Sequence, residues 1–144
     1  MQPDSTALDG SALSLQGMDL NIVSLVSVGQ HPTSGRARRA EQDGRAVELG
    51  MVLTAASAGA DCTGADNLTV LHAGDHQQPS LRSYAGMGLP SVRILQIAEQ
   101  DDAVAPLYEY LQQHSPDIVL TGVRAESGES SGMVPYLLAE KLGW

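Results

Sequence analysis

The chain has 144 residues, 42% of them hydrophobic, and its 17 acidic against 8 basic residues leave a formal charge of -9. That length supports one domain around a single core, and that charge repels nucleic acid and anionic membrane surfaces, which excludes a general nucleic-acid binder. With no Phe and a single Trp at position 144, the core must be aliphatic and base-stacking platforms are lacking.

Cys62 is the one cysteine, so no internal disulfide can form, and it reads as an incidental loop thiol in a reducing cytoplasm. His31, His72, His76 and His114 are dispersed and read as surface or turn residues, so no metal site is expected.

Residues 1–18, opening "MQPDSTALDGSALSLQG", have neither a basic n-region nor a sustained apolar core. They read as a flexible extension ahead of a domain over 19–144. No segment approaches the roughly 20 apolar residues that span a bilayer, so the expectation is a cytoplasmic protein that is not integral to the membrane.

From Leu20, "LNIVSLVSVG" is β-branched and nearly continuously apolar, as a strand buried on both faces would be. "QHPTSGRARRA" follows as a loop punctuated by Pro32 and Gly35, in which Arg36, Arg38 and Arg39, with Arg45 soon after, form a solvated basic cluster. "EQDGRAVELGMVLTAASAGA" spaces Ala46, Leu49, Val52 and Leu53 like the apolar face of a helix, which Gly44 and Gly50 weaken by roughly 1 kcal/mol each.

The alternation then repeats. "NLTVLHAG" predicts a second strand, "PSLRSYAGMG" a short helix, "SVRILQI" a third strand, "DDAVAPLYEYLQQH" a helix opened by acids, and "DIVLTG" a fourth strand. Tyr84, Tyr108 and Tyr110 fit helix packing. Short apolar strands alternating with helices predict an α/β fold, a doubly wound parallel sheet in three layers, with strand order 3-2-1-4. In such sheets ligands sit beyond the carboxyl ends of the strands where the order reverses, here between the loops after strands one and four.

The loop after strand four, "TGVRAESGESSGMVPYLLAEKLGW", brings Gly122, Gly128 and Gly132 to the start of a helix, as an anion cradle would, yet carries Glu126 and Glu129. Ser130 and Ser131 stand at the expected N-cap and Pro135 in the first turn. The acids are expected to turn away from a bound phosphate, accepting from ribose hydroxyls or backbone amides, or pairing with Arg124. No Lys follows the glycines and no closely spaced glycine triplet follows strand one, so neither a Walker loop nor a dinucleotide fingerprint is present. Nor can a nucleophile with a base and an orienter be named, and the expectation is a non-catalytic protein.

These residues resemble a known family. "SPDIVLTGVRAESGESSGMVPYLLAEKLGW" is similar to the segment around the fourth strand of electron transfer flavoprotein β subunits, and "NIVSLVSVGQHPTSGRARRA", "GRAVELGMVL", "LTVLHAG" and "SLRSYAGMGL" resemble the family's earlier segments in order. The resemblance implies a Rossmann-like domain that binds AMP, or a second FAD in electron-bifurcating members. It implies pairing with an α subunit that holds the redox FAD, and electron flow from flavin-dependent dehydrogenases to electron transfer flavoprotein-quinone oxidoreductase.

Carried over by motif, the cofactor-binding residues would be Ser27, then Ala40, Glu41, Gln42 and Asp43, then Ala73. In the last loop they would be Val123, Arg124, Ala125, Glu126, Ser127, Gly128, Glu129, Ser130, Ser131, Gly132, Met133 and Val134, acting mostly through backbone amides. The family's basic residue after the strand-four glycine is Val123 here, followed by Arg124, and its glutamine-alanine-isoleucine-aspartate is Arg124, Ala125, Glu126 and Ser127. Members continue past the tryptophan into a segment that completes the fold and recognises dehydrogenases, so these residues correspond to the N-terminal, nucleotide-binding part. A rival of another class is a stand-alone regulator of the universal stress protein type. That type would show a Gly-Ser pair about ten residues after an early Gly pair, which this loop lacks.

Overall fold

The structure, a computed structural model, describes residues 14–58, 67–89, 92–126 and 132–144. Strand β1 (Ile22–Leu25) lies between β4 (Leu68–Gly74) and β6 (Ile118–Leu120), and β5 (Val92–Gln96) pairs outside β4, all parallel, in the order β5-β4-β1-β6. In terms of the four predicted strands this is the expected order 3-2-1-4. The fold is therefore the expected three-layer, Rossmann-like α/β arrangement.

Alternate side chains of each strand enter opposite faces, which gives the sheet two apolar clusters. On one face Ile22, Val26, Leu68 and Val70 pack beneath α1 (Glu41–Ser57) and α2 (Leu81–Ala85) through Val47, Leu81 and Tyr84. On the other, Val23, Leu25 and Leu71 pack beneath α3 (Val104–His114) and α4 (Val134–Leu142) through Leu107, Leu111 and Leu138. Among the described residues no helix is long and apolar enough to cross a membrane.

Strand one is shorter than its apolar run suggests. The chain leaves the sheet after Leu25, and Val28–Gln30 (β2) pairs antiparallel with Ala37–Arg39 (β3). The arginine segment is thus partly one arm of a hairpin rather than wholly a loop.

Helix α1 turns only part of its expected apolar face to the sheet: Ala46 is buried and Leu53 packs against the core. Leu49 and Val52 are exposed, whereas Asp43, Gly44, Val47, Gly50, Thr54 and Ser57 are buried with Ala46. The reason is closeness: a Cβ at Gly50 would come within 2.9 Å of Leu68 Cδ1 and 3.4 Å of Leu120 Cδ1. Small and self-satisfied polar residues suit such contact, and Thr54 Oγ1 donates to the Gly50 carbonyl at 2.9 Å. At the other end, the amides of Gly17 and Asp19 donate to the Ser57 carbonyl, and Leu20 donates to Ser57 Oγ at 3.2 Å. Residues leading into β1 are thereby held to the end of α1.

Helix α3 starts at Val104, whose amide donates to Asp102 Oδ1 at 3.0 Å, and ends at Ser115 in the left-handed region, φ 44°. Helix α4 starts at Val134 with Pro135 in its first turn and Met133 at the cap, so neither Ser130 nor Ser131 is the cap residue. The cap lies nearer the helix because Gly132, at φ +76°, turns the chain immediately before it.

Two substitutions test this packing. Gly50→Val should push α1 away from Leu68 and Leu120 and cost about 1–3 kcal/mol in urea unfolding. Ser24 Oγ is buried with no hydrogen-bond partner among the described residues, so Ser24→Ala should leave stability unchanged or raise it by about 1 kcal/mol in the same measurement.

Candidate functional site

The carboxylate of Asp43, in the first turn of α1, bridges the ends of β1 and β6. Its Oδ2 accepts from the Ser27 amide at 2.8 Å and from Ser27 Oγ, and its Oδ1 accepts from the Gly122 amide at 3.0 Å. Asp43 is buried, and burial pushes its carboxyl above the usual carboxylate range despite the Ser27 and Gly122 donors; the charge of Glu126 adds to the rise.

Tyr84, fully buried on α2, completes the junction. Its hydroxyl donates to the Ser27 carbonyl at 2.8 Å and accepts from the Ala40 amide at 3.0 Å. Burial, reinforced by the Asp43 charge, pushes its phenol well above the usual tyrosine range, so it stays protonated and can donate.

Glu126, the acid of the last loop among the described residues, faces α1 and the hairpin. Its Oε1 accepts from the Glu41 amide at 2.9 Å, at the start of α1, and its Oε2 lies 3.1 Å from Arg38 on the hairpin. Glu126 thus pairs with Arg38 rather than with Arg124, and it satisfies an amide that α1 cannot satisfy itself. Next to it, Gln42 Oε1 accepts from the Val123 amide at 3.1 Å.

Beyond these contacts opens a cleft of about 1320 Å³ above the carboxyl ends of β4, β1 and β6. Of the residues expected to bind a cofactor, Ser27, Asp43 and Ala73 line it on one side, and Val123, Arg124 and Ala125 with Gly132, Met133 and Val134 on the other. Glu41, Gln42 and Glu126 border instead a second groove beside the hairpin, which Arg124 and Ala125 share. Ala40 is buried behind both, at the cap of α1. Ser127, Gly128, Glu129, Ser130 and Ser131 lie outside the described residues, as does Cys62.

The cleft is electrostatically uneven. Arg124 and the first turn of α4 stand at the β6 end, whereas Asp75, Glu99, Asp101 and Asp102 line the β4 and β5 end. His31 is a turn residue as expected, its Nδ1 accepting from the Thr33 and Ser34 amides. His72 is not a surface histidine: it is buried on β4 and its Nδ1 lies 2.9 Å from the Val26 carbonyl oxygen. Sequence reasoning missed His72, Arg38 and the bridging role of Tyr84. Only the last had a signal, as a lone aromatic on the short second helix of an aromatic-poor chain.

The electron transfer flavoprotein subunit beta of Chromohalobacter salexigens is 44% identical to this chain over 128 residues, spanning 87% of this chain and 44% of that protein. This chain is similar to that electron transfer flavoprotein β subunit over most of its own length. It spans less than half the length of that relative. No family model matches it, and no solved structure gives a significant match.

The Asp43 junction predicts two outcomes. Asp43→Ala leaves the Ser27 and Gly122 donors without their acceptor and should cost roughly 3 kcal/mol in urea unfolding. Because the folded chain holds the Asp43 proton more tightly than the unfolded chain, its contribution to stability falls as pH rises from the unfolded value, near 3.8, through the raised folded value. Wild-type stability should therefore decline relative to Asp43→Asn across that rise, in unfolding curves collected at successive pH values.

Proposed function

We propose that this chain forms the nucleotide-binding part of an electron transfer flavoprotein β subunit. In this reading it holds AMP in the cleft and pairs with an FAD-carrying α subunit, which passes electrons from flavin-dependent dehydrogenases to electron transfer flavoprotein-quinone oxidoreductase. The observation that carries the reading is the 44% identity to a protein of that name. The position of the cleft, where the strand order reverses between β1 and β6, supports it.

The residues present fit an adenine nucleotide. The cleft exceeds the roughly 300–1,000 Å³ of common small-ligand sites, and its one strongly favourable end for phosphate joins Arg124 to the first turn of α4. There Val123, Arg124, Ala125, Gly132, Met133 and Val134, with the loop 127–131, would hold the phosphate. Ser27, Asp43 and Ala73 would face the rest of the nucleotide.

Ala40, Glu41, Gln42 and Glu126 then act by holding the loop rather than by touching the ligand. AMP would be a structural ligand here, the redox chemistry belonging to the FAD held with the α subunit. In this reading the chain is a carrier subunit rather than an enzyme, and it works in the cytoplasm.

Purifying the protein, denaturing it and separating the released nucleotide by chromatography tests the reading. AMP is the expected product, and FAD would indicate an electron-bifurcating member; a protein that carries and rebinds neither would overturn it. Gly132, at φ +76°, would place a Cβ 3.1 Å from the Val123 carbonyl oxygen. Gly132→Val should therefore lower AMP affinity at least about tenfold in calorimetry, by straining the turn that presents α4.

A further inference from the structure

His72 has no part in the nucleotide contacts assigned above, yet it lines the cleft while only 6% exposed. Its Nδ1 faces the Val26 carbonyl oxygen at 2.9 Å, and a carbonyl can only accept, so Nδ1 carries the proton. In the neutral ring Nε2 is then a bare acceptor. No residue among those described donates to it.

The surroundings keep that nitrogen open. A Cβ at position 74 would lie 2.5 Å from His72 Nε2, so it is the glycine at the end of β4 that leaves the atom uncovered. The ligand chemistry follows from charge. A lone pair repels phosphate oxygens, and so do Asp75, Asp101 and Asp102, which line the same end of the cleft. What suits this end is an uncharged N–H or O–H group.

We propose that His72 Nε2 accepts a hydrogen bond from an N–H or O–H group of the bound nucleotide's base or ribose, making the β4 end of the cleft the reader of its uncharged part. This rests on the nucleotide reading above. It sets the ligand's direction, with phosphate toward β6 and α4 and the base and ribose toward β4.

Calorimetry with AMP on the wild-type protein and on His72→Asn tests it. Asparagine keeps a donor for the Val26 carbonyl and deletes the second ring nitrogen, so affinity should fall about tenfold while the urea midpoint stays within error. In the wild type, one of three analogues, lacking the 6-amino group, the 2′-hydroxyl or the 3′-hydroxyl, should show the same loss, and the variant should be indifferent to that deletion. Gly74→Ala, which screens the nitrogen without removing it, should weaken AMP as well.

Equal affinity of His72→Asn and wild type would overturn the inference and leave the nucleotide reading intact. So would a wild type insensitive to all three deletions, a result that needs no variant to fold. A wild type that binds neither AMP nor FAD would overturn the nucleotide reading itself, and this inference with it.

Discussion

One buried carboxylate organises the end of this sheet. Strands β1 and β6 run in register only to Ser24 and Leu120, after which their chains diverge, one into the hairpin and the other toward α4. Asp43 spans that gap by accepting from Ser27 on one side and Gly122 on the other. A single acid can do this because an ionised carboxylate only accepts, and offers two oxygens to donors that the separating strands can no longer satisfy. The cost is desolvation, which the three donors offset only in part, and the raised pKa records the remainder. Tyr84 adds a rigid strut from the other side of Ser27, tying the same turn to the cap of α1.

Glu126 of the last loop has its explanation in the same place. The start of α1 presents unpaired amides and the positive end of a helix dipole, a natural seat for an anion. The protein fills it from within: Glu126 takes the Glu41 amide, and Arg38 balances Glu126 from the hairpin. That end of α1 is thus occupied by a side chain of the protein itself. The loop carries Glu126 because that acid serves a different helix from the one the loop leads into.

Charge therefore sorts the cleft. Its β6 end offers a cation and helix amides, and its β4 end offers carboxylates and the bare nitrogen of His72. An amphiphilic ligand with a phosphate at one end and uncharged donors at the other has one favourable direction in such a field. That is the logic connecting the similarity to electron transfer flavoprotein β subunits with the residues of this particular chain.

Much of the architecture was legible because it depends on local patterns. Runs such as "IVSL" and "LTVLHAG" must be buried on both faces wherever they sit, and alternation with helices leaves few topologies besides a parallel sheet with the observed order. The ordered motifs carried the family as well. Other features depend on distances between residues far apart in sequence, which no period encodes. The buried face of α1 was legible in Ala46 and Leu53 but not in full, because closeness to Leu68 and Leu120 selected Gly50, Thr54 and Ser57 over the more apolar Leu49 and Val52. Likewise, Asp43 with Gly122, Glu126 with Arg38, and Tyr84 with Ser27 lie 79, 88 and 57 positions apart. The sequence by itself determined which segments must be inside and in what order they pair, since burial follows from composition and period. Only the tertiary structure decided which polar atoms face one another at the crevice, because hydrogen bonds are set by direction and by tenths of an ångström.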